Sequence, residues 1–545
     1  FIDPLSSKTS VTGSKDNNLA GDLYTTNGES LDWNSNAFLY YTRSFNKQHN
    51  LNVSAGWEAA SGTTESTNAH YRGFPSGEFH SLNYAAEVYK KPTRTENTTR
   101  RVSVLASANY TWNDIYLVDA SVRFDGSSEF GANQKWAPFF SGGLGVNIHN
   151  YDFFKSNGYI NKLKLRASYG RTGKVNFPAY AATTMYETLF DEWYITGYGA
   201  VLKALGNKDL TWEKTDKLSV GIETKTFHDR LTVDFEYYYN KTIDLVNDVT
   251  LSQTSGFSTY KDNMGQVANK GVELKLRADI YRDRNWNVAL WGNMAHNKNE
   301  ILKISDSQKA YNERVAAYYK NEALYQETLG LSHGAEYSVP LPQYEEGASL
   351  TSIWAVRSLG IDPTTGKEIF LNRDGSIADK WNAAQEVVVG NTEPKCSGAF
   401  GLNLSYKNWT LFASFLYEWG GQEYNQTLVN NVENADLVNK NVDLRVLTDR
   451  WKKPGDIAQF KDIKDRGMTT LPTSRFVQDK ALVRLNSLNV SYDFNRDWIK
   501  KHLRMNLLRL EASTSDLINW SSIKQERGLS YPRSWKVEFS LKAQF

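Results

Sequence analysis

Apolar and polar residues alternate strictly over many stretches of the chain. In the last stretch, Trp535, Val537, Phe539, Leu541, Ala543 and Phe545 alternate with Ser534, Lys536, Glu538, Ser540, Lys542 and Gln544. A period of two places these sets on opposite faces of a β-strand, one apolar and one polar. Segments 231–240, 271–280 and 400–406 repeat the pattern. Within 482–494 the alternation slips at Asn486-Ser487, which predicts a β-bulge there.

Short polar segments join many of these strands in pairs, and much longer segments separate the pairs. The short ones are Asn46-Lys47-Gln48, Trp112-Asn113-Asp114, His228-Asp229-Arg230, Arg282-Asp283-Arg284-Asn285 and Lys407-Asn408. The long ones are 62–98, 175–210, 297–391 and 420–475, the third with a predicted helix at about 307–326. Tight turns at one end and long loops at the other are typical of an outer-membrane β-barrel.

A series of soluble β-sandwiches would also alternate, because each sheet buries one face. Two features favour the barrel. The apolar face of the strand at 409–419 carries Trp409 and Trp419 at its two ends, as the aromatic girdles beside a lipid band do. Charged residues fill the other face of many strands, which suits a water-filled lumen. The sequence therefore predicts an all-β fold, a transmembrane antiparallel β-barrel with long extracellular loops.

About fifteen strands are predicted. They lie near 30–45, 49–61, 99–112, 114–125, 136–149, 160–172, 211–227, 230–245, 267–281, 286–297, 394–407, 409–420, 477–494, 503–517 and 533–545. Bacterial single-chain barrels have even strand numbers, and an open edge in hydrocarbon leaves backbone groups unpaired. We therefore expect residues 1–545 to form the C-terminal part of a barrel. The remaining strands would come from another polypeptide or another part of this one.

Composition narrows the class of protein further. Aromatic residues make up 13% of the chain although the mean hydropathy is −0.55, which suits apolar residues confined to one face. No run of 18 apolar residues predicts a transmembrane helix. The 63 basic and 61 acidic residues leave a net charge of +2, which argues against a nucleic-acid-binding surface. A single cysteine, Cys396, excludes an intramolecular disulfide and a CxxC metal site.

Eight local motifs follow one another along the chain. They are Arg123-Phe124-Asp125-Gly126-Ser127-Ser128-Glu129-Phe130-Gly131, Ser168-Tyr169-Gly170-Arg171-Thr172-Gly173, Thr211-Trp212-Glu213-Lys214-Thr215, Asn269-Lys270-Gly271-Val272-Glu273, Gly360-Ile361-Asp362-Pro363 with Gly366, Gly390-Asn391-Thr392-Glu393-Pro394, Asp449-Arg450-Trp451 with Pro454-Gly455, and Tyr531-Pro532-Arg533. In this order they resemble the C-terminal barrel of SusC/RagA-type TonB-dependent transporters of Bacteroidota outer membranes. The resemblance covers nearly the whole chain.

The resemblance implies a 22-stranded barrel with an N-terminal plug domain in its lumen. It also implies a TonB box energised by TonB–ExbB–ExbD, a SusD-like surface lipoprotein as a lid, and a possible dimer of transporter–lid pairs. The predicted strands would then be the last fifteen of the barrel, with the plug and first strands absent from this chain. The final residue, Phe545, resembles the signal read by the barrel-assembly machinery, and it also suits an outward, lipid-facing position.

Catalytic constellations are missing from the sequence, so no enzyme activity is expected. There is no H-E-x-x-H, G-x-S-x-G or Walker P-loop motif, and the eight histidines lack metal-ligand spacing. Segments 362–368 and 372–375 carry oxygen ligands that suit Ca²⁺, although Asp/Gly-rich turns explain them better. Asp234 and Glu236 are expected on a solvated lumen face. We therefore predict no cofactor and no metal.

Aromatic residues in the long loops are the candidates for substrate contact. They are Trp193, Tyr194 and Tyr198 in the 175–210 loop and Tyr318, Tyr319 and Tyr325 in the 297–391 loop. Rigid aromatic faces grip sugars or peptide side chains at little entropic cost. Packing within the loops, or against a lid protein, explains the same residues equally well. Asp449-Arg450-Trp451 is predicted to order the 420–475 loop.

The favoured function is active import of oligosaccharides or oligopeptides across the outer membrane of a Gram-negative, Bacteroidota-type bacterium. The substrate would be captured under the lid lipoprotein and released when TonB pulls on the plug. Two other hypotheses stay open. In one, a SusC-like barrel embedded in the lipid bilayer is a structural scaffold of a larger envelope assembly. In the other, it is a passive porin.

Overall fold

The computed structural model describes residues 20–79, 81–155, 159–175, 177–195, 197–250, 259–263, 265–437, 442–494, 496–524 and 534–545. The strands are β1 Asp22–Phe45, β2 His49–Arg72, β3 Glu87–Trp112, β4 Tyr116–Ser127, β5 Trp136–Asn147, β6 Ile160–Lys174, β7 Met185–Tyr194, β8 Gly197–Ala204, β9 Glu213–Thr226, β10 Leu231–Ile243, β11 Val246–Thr250, β12 Thr259–Asn263, β13 Gln266–Arg282, β14 Trp286–Lys303, β15 Ser352–Ala355, β16 Arg357–Ile361, β17 Glu368–Leu371, β18 Ile377–Ala378, β19 Val387–Asn391, β20 Cys396–Tyr406, β21 Trp409–Tyr424, β22 Val477–Asp493, β23 Leu507–Thr514, β24 Asn519–Ser521 and β25 Val537–Gln544. The α-helices are α1 Asp152–Lys155, α2 Asp306–Leu329, α3 Gln426–Leu428, α4 Arg445–Thr448 and α5 Arg496–Leu503.

One large antiparallel sheet dominates the fold. Its strands follow the order β1-β2-β3-β4-β5-β6-β9-β10-β13-β14-β20-β21-β22-β23-β25, and β24 pairs with β22 beside this path. Each strand predicted from the alternation is present in this sheet. Within the described residues, β1 pairs only with β2, and β25 pairs only with β23. Among the described helices, none combines the length and apolar character needed to cross a membrane.

The two faces of the sheet differ in the way the alternation predicts. On β25, Val537, Phe539 and Leu541 expose large apolar side chains, and on β10 Phe235 and Tyr237 do the same. Most of their cross-strand partners are apolar too, as Leu510 beside Leu541 and Leu274 beside Phe235 show, because cross-strand partners point to the same face. Such a wide exposed apolar surface marks contact with something other than water. We call this face the outer face and the opposite, charged face the inner face.

Connections at one end of the sheet are tight turns. Asn46 and Lys47 have φ of 49° and 58°, and Asn113 and Asp114 have φ of 53° and 56°. Two successive residues in this left-handed region match the right-handed twist of the flanking strands. The five short segments predicted from the sequence all lie at this end, together with α1 and α5. We call it the short-turn end and the opposite one the long-loop end.

One predicted long connection is mostly strand. Residues 62–98 were expected to be a loop, but β2 continues to Arg72 and β3 begins at Glu87. Both extensions are rich in Thr, Ser, Asn and charged residues, so they lack the alternation of the lower strands. The reason is physical: this part of the wall projects beyond the apolar band and meets water on both faces.

The bulge predicted at Asn486-Ser487 is confirmed. In the pairing of β21 with β22, Ser414 faces Ser487 and the next residue, Phe415, faces Leu485, so Asn486 is the extra residue. The bulge keeps Leu485 and Leu488 on the outer face although they are three residues apart.

The long loops carry their own folded structure. The loop between β14 and β20 contains α2 and β15–β19, and the loop between β21 and β22 contains α3 and α4. Helix α2 confirms the predicted helix at 307–326. It begins at a capping box in which Ser305 and Gln308 bond each other's backbone N–H, and it ends at Gly330, whose φ is 65°.

Candidate functional site: the barrel lumen and its loops

The inner face is crossed by networks of arginine and carboxylate side chains. Arg166 on β6 donates from Nη2 to Asp234 Oδ1 at 2.8 Å and to Glu236 Oε2 at 2.6 Å, both on β10. Ser219 on β9 donates to Glu236 Oε1 at 2.6 Å. These contacts confirm that Asp234 and Glu236 share the inner face, and they tie three strands together through charge-assisted hydrogen bonds.

A second network lies nearer the long-loop end. Arg123 on β4 donates to Asp125 Oδ1 at 2.5 Å, to Glu58 Oε2 at 3.0 Å on β2, and to Ser103 Oγ at 2.8 Å on β3. Two carboxylates face the single guanidinium of Arg123, so the network carries one net negative charge. It forms the floor of a cavity at that end of the sheet.

Among the described residues, two cavities open on the inner face. The first has a volume of about 690 Å³ and lies among β1–β4, β6 and the segment before β9 at the long-loop end. The second has a volume of about 580 Å³ and is lined by hydroxyl and amide groups of β6, β9, β10, β13 and β14, including Tyr238, Asn269 and Asn297. Both volumes fall in the range of small-molecule sites.

The two large loops meet in a buried ion cluster. Arg475 donates to Glu368 Oε2 at 2.8 Å and to Glu433 Oε1 at 2.6 Å, and Thr473 donates to Glu368 Oε1 at 2.5 Å. Burial opposes ionisation of Glu368, but the charge and hydrogen bonds of Arg475 outweigh it, so the pKa of Glu368 lies below its usual value. The pKa of Arg475 is raised despite its burial, because both carboxylates face it.

Arg450 orders the loop between β21 and β22, as predicted from the Asp449-Arg450-Trp451 motif. Its buried guanidinium donates to four backbone carbonyl groups of that loop, those of Val432, Glu433, Val446 and Lys461. A buried carbonyl group without a donor is destabilising. The side chain of Arg450 therefore supplies hydrogen-bond donors to the carbonyl groups of α4 and of the neighbouring turns.

Trp451 joins this loop to the loop between β14 and β20. Its indole Nε1 donates to Pro363 O at 2.9 Å, and the backbone N–H of Gly455 donates to the same oxygen at 2.8 Å. Gly366 has φ of +72°, and a Cβ atom there would lie 2.5 Å from Trp451 Cε3. Two motifs that are far apart in the sequence thus form one joint.

The predicted aromatic contacts fall into different environments. Tyr319 is fully buried, its hydroxyl donates to Val339 O, and it accepts from Leu341 N at 3.0 Å. Burial also raises the pKa of Tyr319. With no exposed surface, Tyr319 belongs to the core of the loop, and we do not carry it forward as a substrate contact.

Tyr318, Tyr325 and Tyr198 keep some exposed surface, and contact of the remaining candidates with substrate stays a prediction. Tyr318 stacks on Tyr337 with ring centroids 4.4 Å apart, and Tyr325 stacks on His333 at 3.6 Å. Tyr198 is 61% exposed on β8. Its backbone partner is Trp193, and Tyr194 pairs with Gly197; the side chains of Trp193 and Tyr194 lie outside the described part.

The segments considered for Ca²⁺ form hydrogen-bonded turns. Asp362 accepts from Thr364 N at 2.8 Å and Thr365 Oγ1 at 2.7 Å, and Asp374 accepts from the backbone N–H and hydroxyl of Ser376. These bonds lower the pKa of both carboxyl groups. Over the described ranges, no group of three or more His, Cys, Asp or Glu side chains is placed to hold a metal ion.

Glu386 is a buried carboxyl group that the sequence did not single out. Burial raises its pKa to about 7, against the hydrogen bond from Gln343 and the charge of Arg373. Its Oε1 has no hydrogen-bond partner among the described residues. Glu386 and the Arg475 cluster were missed because their partners lie up to 107 residues away in the sequence.

Phe545 follows β25 with 79% of its side chain exposed, which fits an outward position. Its role in assembly stays a prediction. Motif Tyr531-Pro532-Arg533 lies outside the described residues.

Fold and inner face together define a membrane β-barrel wall with a charged lumen and folded loops at one end. The sequence matches the family described as TonB dependent receptor-like, beta-barrel, over residues 5–507. The chain therefore belongs to this family. Barrels of the family lie in the outer membranes of Gram-negative bacteria, with their long loops outside the cell.

Two relatives and one solved structure illustrate the similarity. A TonB-dependent receptor of Formosa agariphila is 26% identical over 94% of this chain and 53% of its own length. The TonB-dependent receptor SusC of Bacteroides thetaiotaomicron is 29% identical over 44% of this chain and 25% of its own length. The structure of the RagAB peptide importer in the "open-open" state superposes with a TM-score of 0.80 at 22% identity, covering 96% of this chain and 56% of that one. The chain spans about half the length of the curated relatives that match most of it.

Proposed function

We propose that this chain forms most of the barrel of a TonB-dependent importer in the outer membrane of a Bacteroidota-type bacterium. Its cargo would be an oligosaccharide or an oligopeptide. The observation that carries the proposal is the contrast between the two faces of one sheet. The outer face is apolar, and the inner face carries arginine–carboxylate networks and two cavities. A wall of this kind separates lipid from an aqueous path for a polar solute.

The loop assembly supports capture of a solute at the outer surface. The Arg475 cluster and the joint of Trp451 with Pro363 hold the two largest loops together above the wall. Rigid loops lower the entropy lost on binding. Membership of the TonB dependent receptor-like family favours import into the cell. The similarity of the fold to the RagAB peptide importer favours the same direction of transport.

The proposed partners follow from the same relatives. TonB–ExbB–ExbD would supply the energy through a plug domain, and a SusD-like lipoprotein would cover the long-loop end. The remaining barrel strands would close the sheet between β25 and β1. A dimer of transporter–lid pairs is part of the proposal.

Gentle detergent extraction of the native complex, followed by mass spectrometry of every component, tests the proposal. We expect a plug with a TonB box and a SusD-like lipoprotein to accompany the chain. Uptake of labelled oligosaccharides and oligopeptides is then compared in cells with and without TonB, and we expect uptake of one class to require TonB. A native complex without any plug-bearing polypeptide would contradict import and favour the scaffold hypothesis. A plug-free barrel with TonB-independent permeation would favour the passive porin.

A further inference from the structure

The cavity of about 690 Å³ at the long-loop end is framed by five strands, β1, β2, β3, β4 and β6. Its lining contains charged side chains and the aromatic residues Phe177 and Trp212. Arg123 contributes to the lining, but Glu58 and Asp125 both pair with it, and these three side chains together carry a net charge of −1. The ligand chemistry of the cavity therefore depends on the other charged groups.

Two cations in this lining are free to meet a ligand. Arg101 on β3 and Lys174 on β6 are exposed, and both lie on the inner face. Within the described ranges, neither side chain makes an ion pair or a hydrogen bond. Glu129, the remaining carboxylate of the lining, accepts from the hydroxyl of Ser127 at 3.1 Å. Among the described residues, the cavity thus presents two unpaired positive charges. Beside them lie one carboxylate that is hydrogen-bonded within its own turn and the Arg123 network with its net charge of −1.

An aromatic wall stands beside these cations. Phe177 lines the cavity and meets the edge of Phe130, with ring centroids 5.2 Å apart. Phe130 stacks on Trp212 at 4.2 Å, and Phe139 packs edge-on against Trp212 at 5.4 Å. Phe130, Phe139 and Trp212 belong to a buried cluster, and the partly buried ring of Phe177 is held in place by packing against it. A fixed apolar face beside free cations suits a ligand that carries a carboxylate next to an apolar or ring surface.

We propose that this cavity is a subsite for a carboxylate group of the transported oligomer, with Arg101 and Lys174 as the ligands of the carboxylate and Phe177 as the packing surface. The inference rests on the proposed import function and deepens it by naming the substrate chemistry. Two kinds of oligomer carry such a carboxylate group. One is an acidic oligosaccharide with a uronate unit, and the other is an oligopeptide, through an acidic side chain or its C-terminus. Charge-assisted hydrogen bonds from both cations would give the cavity a preference for a ligand that carries a carboxylate.

Binding to the full transporter, purified with its partners, tests the subsite by calorimetry. The probes are hexagalacturonate, the neutral hexagalactoside, a glutamate-rich octapeptide, and the same octapeptide with glutamine for glutamate and an amidated C-terminus. We expect one acidic probe to bind at least about ten-fold more tightly than its neutral counterpart. The pair of probes that shows this preference, oligosaccharide or octapeptide, identifies which kind of oligomer supplies the carboxylate.

The double variant Arg101→Ala, Lys174→Ala is expected to lose that preference and to bind the neutral probe as the parent does. The matched control is Lys241→Ala, which removes one positive charge from the outer face of β10. It is expected to keep the preference, because its side chain does not face the lumen.

Two results overturn the inference. One is a parent transporter that binds neither acidic probe more tightly than its neutral counterpart. The other is a preference that persists in the double variant. Uptake by cells separates these results from failure of the import function. If only the subsite is wrong, TonB-dependent uptake of an oligomer continues in the double variant. If import itself is wrong, the parent shows no TonB-dependent uptake of any oligomer.

Discussion

Arg475 Nη2 lies 2.8 Å from Glu368 Oε2, and these two residues are 107 positions apart in the sequence. Arg475 ends the loop between β21 and β22, and Glu368 begins β17 in the loop between β14 and β20. The contact therefore joins the two largest loops of the chain. Glu433, with no exposed surface, completes the cluster on the other side of the guanidinium.

Replacing Arg475 by Leu is expected to loosen both loops. Two buried carboxylates would lose their partner, and breaking a buried pair in this way costs about 3–5 kcal/mol. Hydrogen exchange on the detergent-solubilised, full-length protein is expected to rise within 352–391 and 425–476. Strands β9 and β10 are expected to keep the exchange of the parent.

Lys380→Ala is the control for the loss of one charge in the same loop system. Its pair with Glu327 is exposed on both sides, and such surface pairs contribute about 0–1 kcal/mol. Equal exchange in the Lys380 and Arg475 variants would show that the buried cluster does not hold the loops together.

Glu386 is expected to make the loop between β14 and β20 less stable as the pH rises. Its pKa is raised to about 7 in the folded protein, from a usual value of 4.5. Between these values the folded loop binds more protons than the unfolded loop, so stability falls with rising pH across this window and is level above it. The shift sets an upper limit of roughly 3 kcal/mol on the effect.

Glu386→Gln removes the titrating group and keeps its shape. Local unfolding free energies from hydrogen exchange in 383–391, measured between about pH 5 and pH 8, are expected to fall in the parent and to stay level in the variant. At the low end of this range the two proteins are expected to agree. Parallel curves for parent and variant over the whole range would contradict the assignment.

Gly366→Ala is expected to disturb the joint between the two loops. The residue has φ of +72°, and its new Cβ would meet the ring of Trp451. Backbone strain in this region costs of order 1–3 kcal/mol, and the overlap adds to it. Gly375→Ala is the matched control, since its φ is +85° but nothing lies near its Cβ position.

The difference between these two variants isolates packing against Trp451. We expect limited proteolysis of the full-length protein to cut the loop between β21 and β22 faster in the Gly366 variant than in the Gly375 variant. Equal rates would assign the whole effect to backbone strain and would leave the contact with Trp451 without a role.

The barrel strands and the bulge at Asn486 could be predicted because burial on one face imposes a period of two on every strand. The extensions of β2 and β3 above the lipid could not, since a strand with water on both faces needs no apolar alternation. The buried clusters around Arg475 and Tyr319 could not be predicted for a different reason. They depend on which loops meet in space, and no local pattern records that. The sequence left substrate contact and packing within the loop equally open for Tyr319, and the fold buries it in the core of the loop.

Phe545 is expected to direct assembly of the barrel into the outer membrane. Removing this residue is expected to lower the amount of folded, heat-modifiable full-length protein in outer-membrane fractions, without changing its synthesis. Trp535→Ala is the matched control, because Trp535 is 77% exposed and Phe545 is 79% exposed, and the two residues flank the same strand. If loss of lipid contact were the only effect of removing Phe545, the two variants would lose similar amounts of folded protein. A larger loss in the Phe545 variant supports recognition of Phe545 during assembly, whereas equal losses would contradict it.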